Sequence, residues 1–478
     1  MDRVIYSPAS KISHRRLWRA TAALMLFLLA SSTNANEQAI LEGERFHPVQ
    51  GSQGMVATSH TLATEVALKV LKDGGNAIDA AVTAGFALAV TQPRSGNIGG
   101  GGFLVYSPGN GDAPEAIDYR ETAPAAATET MFQDQDGNVV SERSRFSHKA
   151  AGVPGTVAGL ALALERHGTL SLSQALAPAI RLAREGFVVP HRFTEGLEQA
   201  RDRLERWPAT RATFYKKDGS APQPGEVFRQ PELADTLQRI AEQGVKGFYE
   251  GETAQLIVAE MRRGEGLITL EDLRNYEPAV RQPVHGTYRG FDIYSMSPPS
   301  SGGTHIVQIL NILEDYPIGE WGHNSANTIH HMAEAMKLAY ADRSEYLGDT
   351  DFVAVPLEGL TSKGYADQLR TSIKADKARP ASEIAPGKPG PWESPETTHF
   401  SVVDRWGNAV SNTYTINFSY GSGITVAGAG FLLNNEMDDF SAKPGVPNAY
   451  GLIGGEANKV EPGKRMLSSM SPTIVRKD

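Results

Sequence analysis

Thr397, Thr398 and His399 stand together in the stretch ESPETTHFSVVDRWGNAVSNTYTIN, residues 393–417, directly after a proline-rich approach. A threonine hydroxyl is a weak nucleophile until something accepts its proton. The free α-amino group of the same residue can do so, because its ordinary pKa of ~7.7–8.0 leaves a useful unprotonated fraction near neutrality. That amine exists only if the Glu396–Thr397 bond is broken. The residues therefore allow two readings. Thr397 is an N-terminal nucleophile uncovered by chain cleavage, or two β-branched threonines simply suit the start of a strand.

Other chemistries fit less well. The glycine run 99–102 lacks the Lys-Ser/Thr of a phosphate loop and the spacing of a dinucleotide site, so close backbone packing is its better reading. His330 and His331 are adjacent on a helical stretch, point in different directions and lack the HExxH spacing of a zinc site. No G-x-S-x-G elbow is present. Asp438-Asp439 taken alone is as often a solvated turn as a site. With no cysteine there is neither thiolate chemistry nor a disulfide, and a net charge of −9 argues against a nucleic-acid partner.

The elements that must position Thr397 can be read locally. "THFSVVD" and "AVSNTYTIN", joined by "RWGN", form a hairpin. Residues 376–396 carry five prolines and no apolar periodicity, which marks a break before it. Upstream, Leu62–Leu71 reads as a helix stopping at Gly74-Gly75. Asn76 caps a second, nearly apolar helix, with Asp79 in its first turn. Thr156 starts another helix and Ser171 caps the next. Residues 190–285 are helical and charged and end in strand-like alternation. A Pro/Gly loop at 298–303 runs into a helix, and Ser325 opens a long amphipathic one. With 40% hydrophobic and 21% charged residues, the chain can bury a large core. Interleaved helices and strands point to a layered α/β or α+β body.

The first 35 residues read as an export signal. Arg15, Arg16 and Arg19 precede an apolar run from Ala20 to Ala30, and Thr33 and Ala35 occupy the −3 and −1 positions of a cut. The run is short for a membrane span. The segment carries five basic residues and one acidic, so its loss leaves a net charge of −13. A periplasmic or secreted location follows as an expectation.

"TTHFSVVDRWGNAVSNTYTIN", "GFLLNNEMDDFSAKPGVPNAYGL" and "KRMLSSMSPTIV" together resemble the bacterial γ-glutamyltransferases (γ-glutamyl transpeptidases, glutathione hydrolases). "GGNAIDAAVTAGFALAVTQPRSGNIGGGGFLVY" and "DYRETAP" resemble the same family's N-terminal half, so the likeness runs from about residue 50 to 478. It implies an α+β fold, a four-layer αββα sandwich of the N-terminal-nucleophile hydrolase type. It also implies a precursor that cleaves itself after Glu396, giving a large subunit of 36–396 and a small one of 397–478.

Position by position, the resemblance makes Thr397 the nucleophile and Thr415 its hydrogen-bonding helper in catalysis and maturation. Arg120, Ser468 and Ser469 would hold the substrate α-carboxylate. Asn417, Glu436 and Asp439 would receive its α-ammonium group. The loop 443–455 would lid the pocket, with Tyr450 as its gating aromatic. The implied reaction is ping-pong: the γ-glutamyl group of glutathione or a related compound passes through a Thr397 ester to water, or to an amino-acid or peptide amine. It requires no metal and no organic cofactor.

Family members continue past "SSMSPTIV" through a Gly-Ser-Pro-Gly-Gly stretch whose amides form the oxyanion hole. The resemblance therefore implies a small subunit incomplete at its C-terminus, with self-cleavage and turnover of this polypeptide alone left open. Two alternatives stand beside the leading reading: a related acylase acting on β-lactam side chains or poly-γ-glutamate, and a catalytically inactive truncated remnant.

Overall fold

Local signals account for the helices that frame the core. In the computed structural model, which describes residues 49–386 and 398–477, helix α1 spans Thr61–Lys72 and α2 spans Ala77–Thr91. Asn76 and Asp79 cap α2 reciprocally: Asn76 Oδ1 accepts the Asp79 amide at 3.0 Å and Asp79 Oδ2 accepts the Asn76 amide at 2.8 Å. Asp79 also accepts the amides of Thr169 and Leu170 and the Thr169 hydroxyl, tying this helix start to the loop between α3 (Thr156–His167) and α4 (Leu172–Glu185). Every residue of α2 is buried, as its apolar sequence requires. Further on, α5 (Gly302–Leu313) follows the Pro/Gly loop, and Ser325 caps the long α6 (Ala326–Tyr346).

Eleven strands occur among the described residues: β1 (Gly54–Ala57), β2 (Gly101–Ser107), β3 (Glu115–Asp118), β4 (Phe187–Val188), β5 (Val227–Phe228), β6 (Ala279–Arg281), β7 (Val284–Tyr288), β8 (Phe291–Ser295), β9 (Thr398–Asp404), β10 (Ala409–Thr415) and β11 (Thr473–Arg476). An antiparallel main sheet runs in the order β1-β9-β10-β2-β3-β6, and a second sheet runs β11-β8-β7. The β9–β10 hairpin forms as its alternation suggests. Asp404 Oδ1 accepts the amides of Trp406 (2.9 Å) and Asn408 (3.0 Å) across the turn, while its Oδ2 accepts Ala77 N at 2.9 Å at the start of α2.

Period-two alternation sorts the main sheet's two faces. Leu104, Phe400, Val402, Val410 and Tyr414 pack with α2 in the largest apolar cluster. Phe103, Val105 and Ala116 point the other way and meet Ile474 of β11 together with Met296, just after β8, and Met470, just before β11. Beyond β7 lies α5, so close that a Cβ on Gly286 would stand 2.5 Å from Val307. Helix α5 packs in turn on α6 through Ile312, Leu313, Ala335 and Leu338. Helix, sheet, sheet, helix: the expected αββα order is present.

The glycine run is explained by contact. A Cβ on Gly99 would lie 2.1 Å from the Leu432 carbonyl oxygen, and one on Gly100 would lie 2.1 Å from the Thr415 carbonyl oxygen. Only glycine lets the 430s loop and the end of β10 approach β2 this closely. The histidine pair is likewise satisfied within the protein: His330 Nε2 contacts Lys374 O at 2.7 Å and His331 Nδ1 contacts Asn327 O at 2.8 Å.

Candidate active site

Strand β10 ends at Thr415, and the chain then turns sharply. Asn417 adopts φ 70°, a left-handed conformation that asparagine tolerates better than most residues. Thr415 Oγ1 accepts the Asn417 amide at 2.8 Å, and Asn417 Nδ2 donates to Asn435 O at 2.9 Å. The turn is thereby coupled to the 3-10 segment Glu436–Asp439. Asn434 anchors that segment: its Oδ1 accepts the amides of Glu436 and Gly152, and its Nδ2 donates to the Gly99 and Gly152 carbonyls.

Arg120 follows β3 and is wholly buried. Its Nη1 pairs with Glu436 Oε1, its Nη2 with Asp439 Oδ2 at 2.5 Å, and its Nε donates to Met466 O at 3.2 Å. On the sequence reading Arg120 and the two acids serve opposite ends of a substrate; in the structure those ends touch. Burial alone would lower the guanidinium's pKa, but Glu436, Asp439 and Glu121 together raise it. The acids shift too. Burial, with Asp439 nearby and Arg120 opposing, pushes Glu436 up to about 7. Asp439 is also raised, by burial above all. Glu121, absent from the sequence-derived site, is buried with neither carboxylate oxygen hydrogen-bonded among the described residues, and burial followed by Glu436 raises its pKa strongly.

The opposite wall comes from the 468–470 segment. Ser468 N donates to Pro299 O at 2.8 Å, and Ser468 Oγ accepts the Met470 amide at 3.0 Å. Ser469 Oγ is buried and has no partner among the described residues. Tyr450 closes the top: its hydroxyl donates to Asn417 Oδ1 and its ring meets Phe418 edge-on at 5.4 Å. Arg120, Thr415, Asn417, Glu436, Asp439, Tyr450, Ser468 and Ser469 thus line one small cavity. Thr397 and Glu396 lie outside the described residues. The register pairs Tyr414 with Thr398, so Thr415 stands one step beyond the last described pair. The neighbours of Thr397 have structural roles: Thr398 Oγ1 is hydrogen-bonded to Ser59 Oγ at 2.8 Å, and His399 is hydrogen-bonded to Thr413 across the hairpin and to Ser401 along its own strand.

The family described as Gamma-glutamyltranspeptidase matches residues 63–478. The chain belongs to that family. The glutathione hydrolase proenzyme of Escherichia coli (strain K12) is 53% identical over 439 residues, covering 92% of this chain and 75% of the relative. Among solved structures, Helicobacter pylori gamma-glutamyltranspeptidase superposes with a TM-score of 0.70 at 49% identity, covering 71% of this chain and 97% of that one. Cephalosporin acylase from Bacillus halodurans gives 0.78 at 30% identity, covering 93% and 78%. These are N-terminal-nucleophile hydrolases, in keeping with the layer order above.

Within this gamma-glutamyltranspeptidase fold, sequence reasoning overlooked one lining residue of consequence. Arg343 lies on α6 and reaches the same cavity. Its signal was available, since it falls on the buried face set by Ala335 and Ala339 at helical spacing.

Tyr450→Phe tests the closure. The ring and its contact with Phe418 remain while the hydroxyl bond to Asn417 is lost. KM is expected to rise roughly five-fold with kcat little changed, as fits the loss of one hydrogen bond of about 1 kcal/mol. Steady-state kinetics on a γ-glutamyl anilide read the effect.

Proposed function

We propose that this chain is the proenzyme of a γ-glutamyltransferase and glutathione hydrolase whose Thr397 becomes the nucleophile on cleavage after Glu396. The observation that carries this reading is the convergence, beside the end of β10, of a buried arginine, two serines, an asparagine and two carboxylates in one cavity. Such a set suits the zwitterionic head of a free α-amino acid. The carboxylate exchanges onto Arg120 and the serines while the ammonium takes over Glu436, Asp439 and Asn417, so each charge keeps a partner.

The head so held leaves its γ-carbonyl over the nucleophile. Thr397 Oγ attacks that carbonyl and passes its proton to the threonine's own amine. The carbonyl–nitrogen bond breaks and the departing amine takes the proton up. The resulting ester gives its γ-glutamyl group to water or to an acceptor amine, regenerating the hydroxyl. Thr415, at the strand end, is the helper assigned to Thr397. The large and small subunits are the two products of one precursor. Residues 1–35, outside the described part, are the proposed export signal, which sets the reaction in the periplasm or medium. No helix among the described residues is long and apolar enough to cross a membrane.

A comparison of γ-glutamyl anilide with glutaryl anilide tests the assignment, since the second lacks only the α-ammonium group. A site built around Glu436 and Asp439 should prefer the first by roughly 100-fold or more in kcat/KM, because removing a charged partner strands buried acceptors. Preference for the glutaryl compound would instead favour the acylase reading.

A further inference from the structure

Arg343 is a buried cation that makes no ion pair among the described residues. It is 5% exposed, yet among the described residues no carboxylate comes within ion-pair distance of it. Its side chain makes one hydrogen bond among those residues, from Nε to Ser301 Oγ at 3.2 Å. Ser301 in turn donates to Ser468 O through its hydroxyl at 2.9 Å and its amide at 2.8 Å. The guanidinium is thus anchored to the serine wall of the cavity, and its terminal nitrogens are left for something else. Nearby His305 offers no negative charge: burial first, and then Arg343 itself, lowers its pKa to about 3.

The contrast with Arg120 is physical. The three nitrogens of Arg120 already meet Glu436, Asp439 and Met466 O, and the neighbouring acids raise its pKa. Burial lowers that of Arg343. A buried charge without an ion pair is costly, and a protein rarely keeps one without a use. Ser469 Oγ, buried and unpartnered in the same cavity, is a second idle donor.

Resting on the γ-glutamyl reading above, we propose that Arg343 is a second anion-binding residue of this pocket, gripping the substrate α-carboxylate together with Ser469. The Ser301 tether puts it at the Ser468–Ser469 wall; Asp439 is near enough to oppose the lowering by burial, but it makes no ion pair with Arg343 among the described residues. A planar fork of donors suits a carboxylate, and here it would gain an ion pair on binding.

The test uses the full chain and two substrates, γ-glutamyl anilide and its α-carboxamide counterpart. Arg343→Gln should raise KM for the carboxylate substrate roughly 10- to 100-fold, the usual worth of a buried charge-assisted contact. KM for the carboxamide should hardly move, so discrimination between the two collapses. Arg343→Lys, which keeps the charge but not the fork, should fall between and decides the matter if the glutamine variant does not fold. Equal losses on both substrates, or no loss on either, overturn the proposal. So does a loss confined to glutathione, which would point to the carboxylate of the leaving peptide. If the wild-type chain does not turn over γ-glutamyl anilide, the functional reading is what fails. Calorimetric titration with free L-glutamate then tests Arg343 alone: weaker binding in Arg343→Gln supports the proposal, and unchanged binding overturns it.

Discussion

Thr397→Ala is expected to leave one uncut polypeptide with no measurable γ-glutamyl turnover. Two functions vanish together, because the hydroxyl that would attack the preceding peptide bond is the one that later attacks substrate. Removing a hydrolase nucleophile lowers kcat by roughly four to six orders of magnitude, and here the base is never uncovered either. Intact mass and an anilide assay read the two effects separately. Thr397→Ser should retain both, since it keeps a hydroxyl beside an α-amine. Turnover within tenfold of wild type on an unbroken Thr397→Ala backbone would remove the mechanism.

Arg120→Met is expected to destabilise the fold by about 3–5 kcal/mol at neutral pH, the typical cost of breaking a buried charge network by removing one partner. Glu436, Asp439 and Glu121 would face one another without their shared cation. The pH dependence identifies the cause. Burial raises Glu436 from 4.5 to about 7, against the pull of Arg120. A carboxyl whose pKa is higher folded than unfolded contributes stability below its unfolded value, and that contribution is lost as pH rises through the folded one. Asp439 and Glu121 shift in the same direction. In wild type these groups therefore lower stability between about pH 4.5 and 7. Without Arg120 the folded values climb further, so the variant's deficit should be large at pH 7.5 and shrink markedly at pH 5. Denaturant midpoints at the two pH values measure it, and an equal deficit at both would show that lost packing, not charge, is responsible.

What could be read in advance was local. Asn76, Ser171 and Ser325 each stand just before a helix and cap it, and a cap is written within four residues. The hairpin likewise needs only alternation on either side of "RWGN". The layered architecture was legible through long ordered motifs, and so were the residues that line the cavity, from Arg120 to Ser469. The contacts across the site were not. Arg120 meets Glu436 316 residues away, and nothing in either neighbourhood announces that an arginine assigned to a substrate will bind the protein's own acids. Arg343 was half legible: its spacing from Ala335 and Ala339 puts it on the buried face of an amphipathic helix, but only packing against α5 makes that face an interior one. Glu121 escaped because its burial depends on the close approach that the neighbouring glycines allow: a Cβ on Gly101 would lie 2.6 Å from its carboxylate.

The strand order carries one more consequence. Both β9 and β10, which follow the proposed scission point, are flanked by β1 and β2, which precede it. Two polypeptides made by that cut would be woven through each other, sharing ladders of amide hydrogen bonds on both sides. They would not exchange or dilute apart as partners in an ordinary complex do; separating them means melting the sheet. Hydrolysis of one peptide bond would therefore alter the chemistry of the molecule while leaving its cohesion to the same forces that folded it as a single strand of protein.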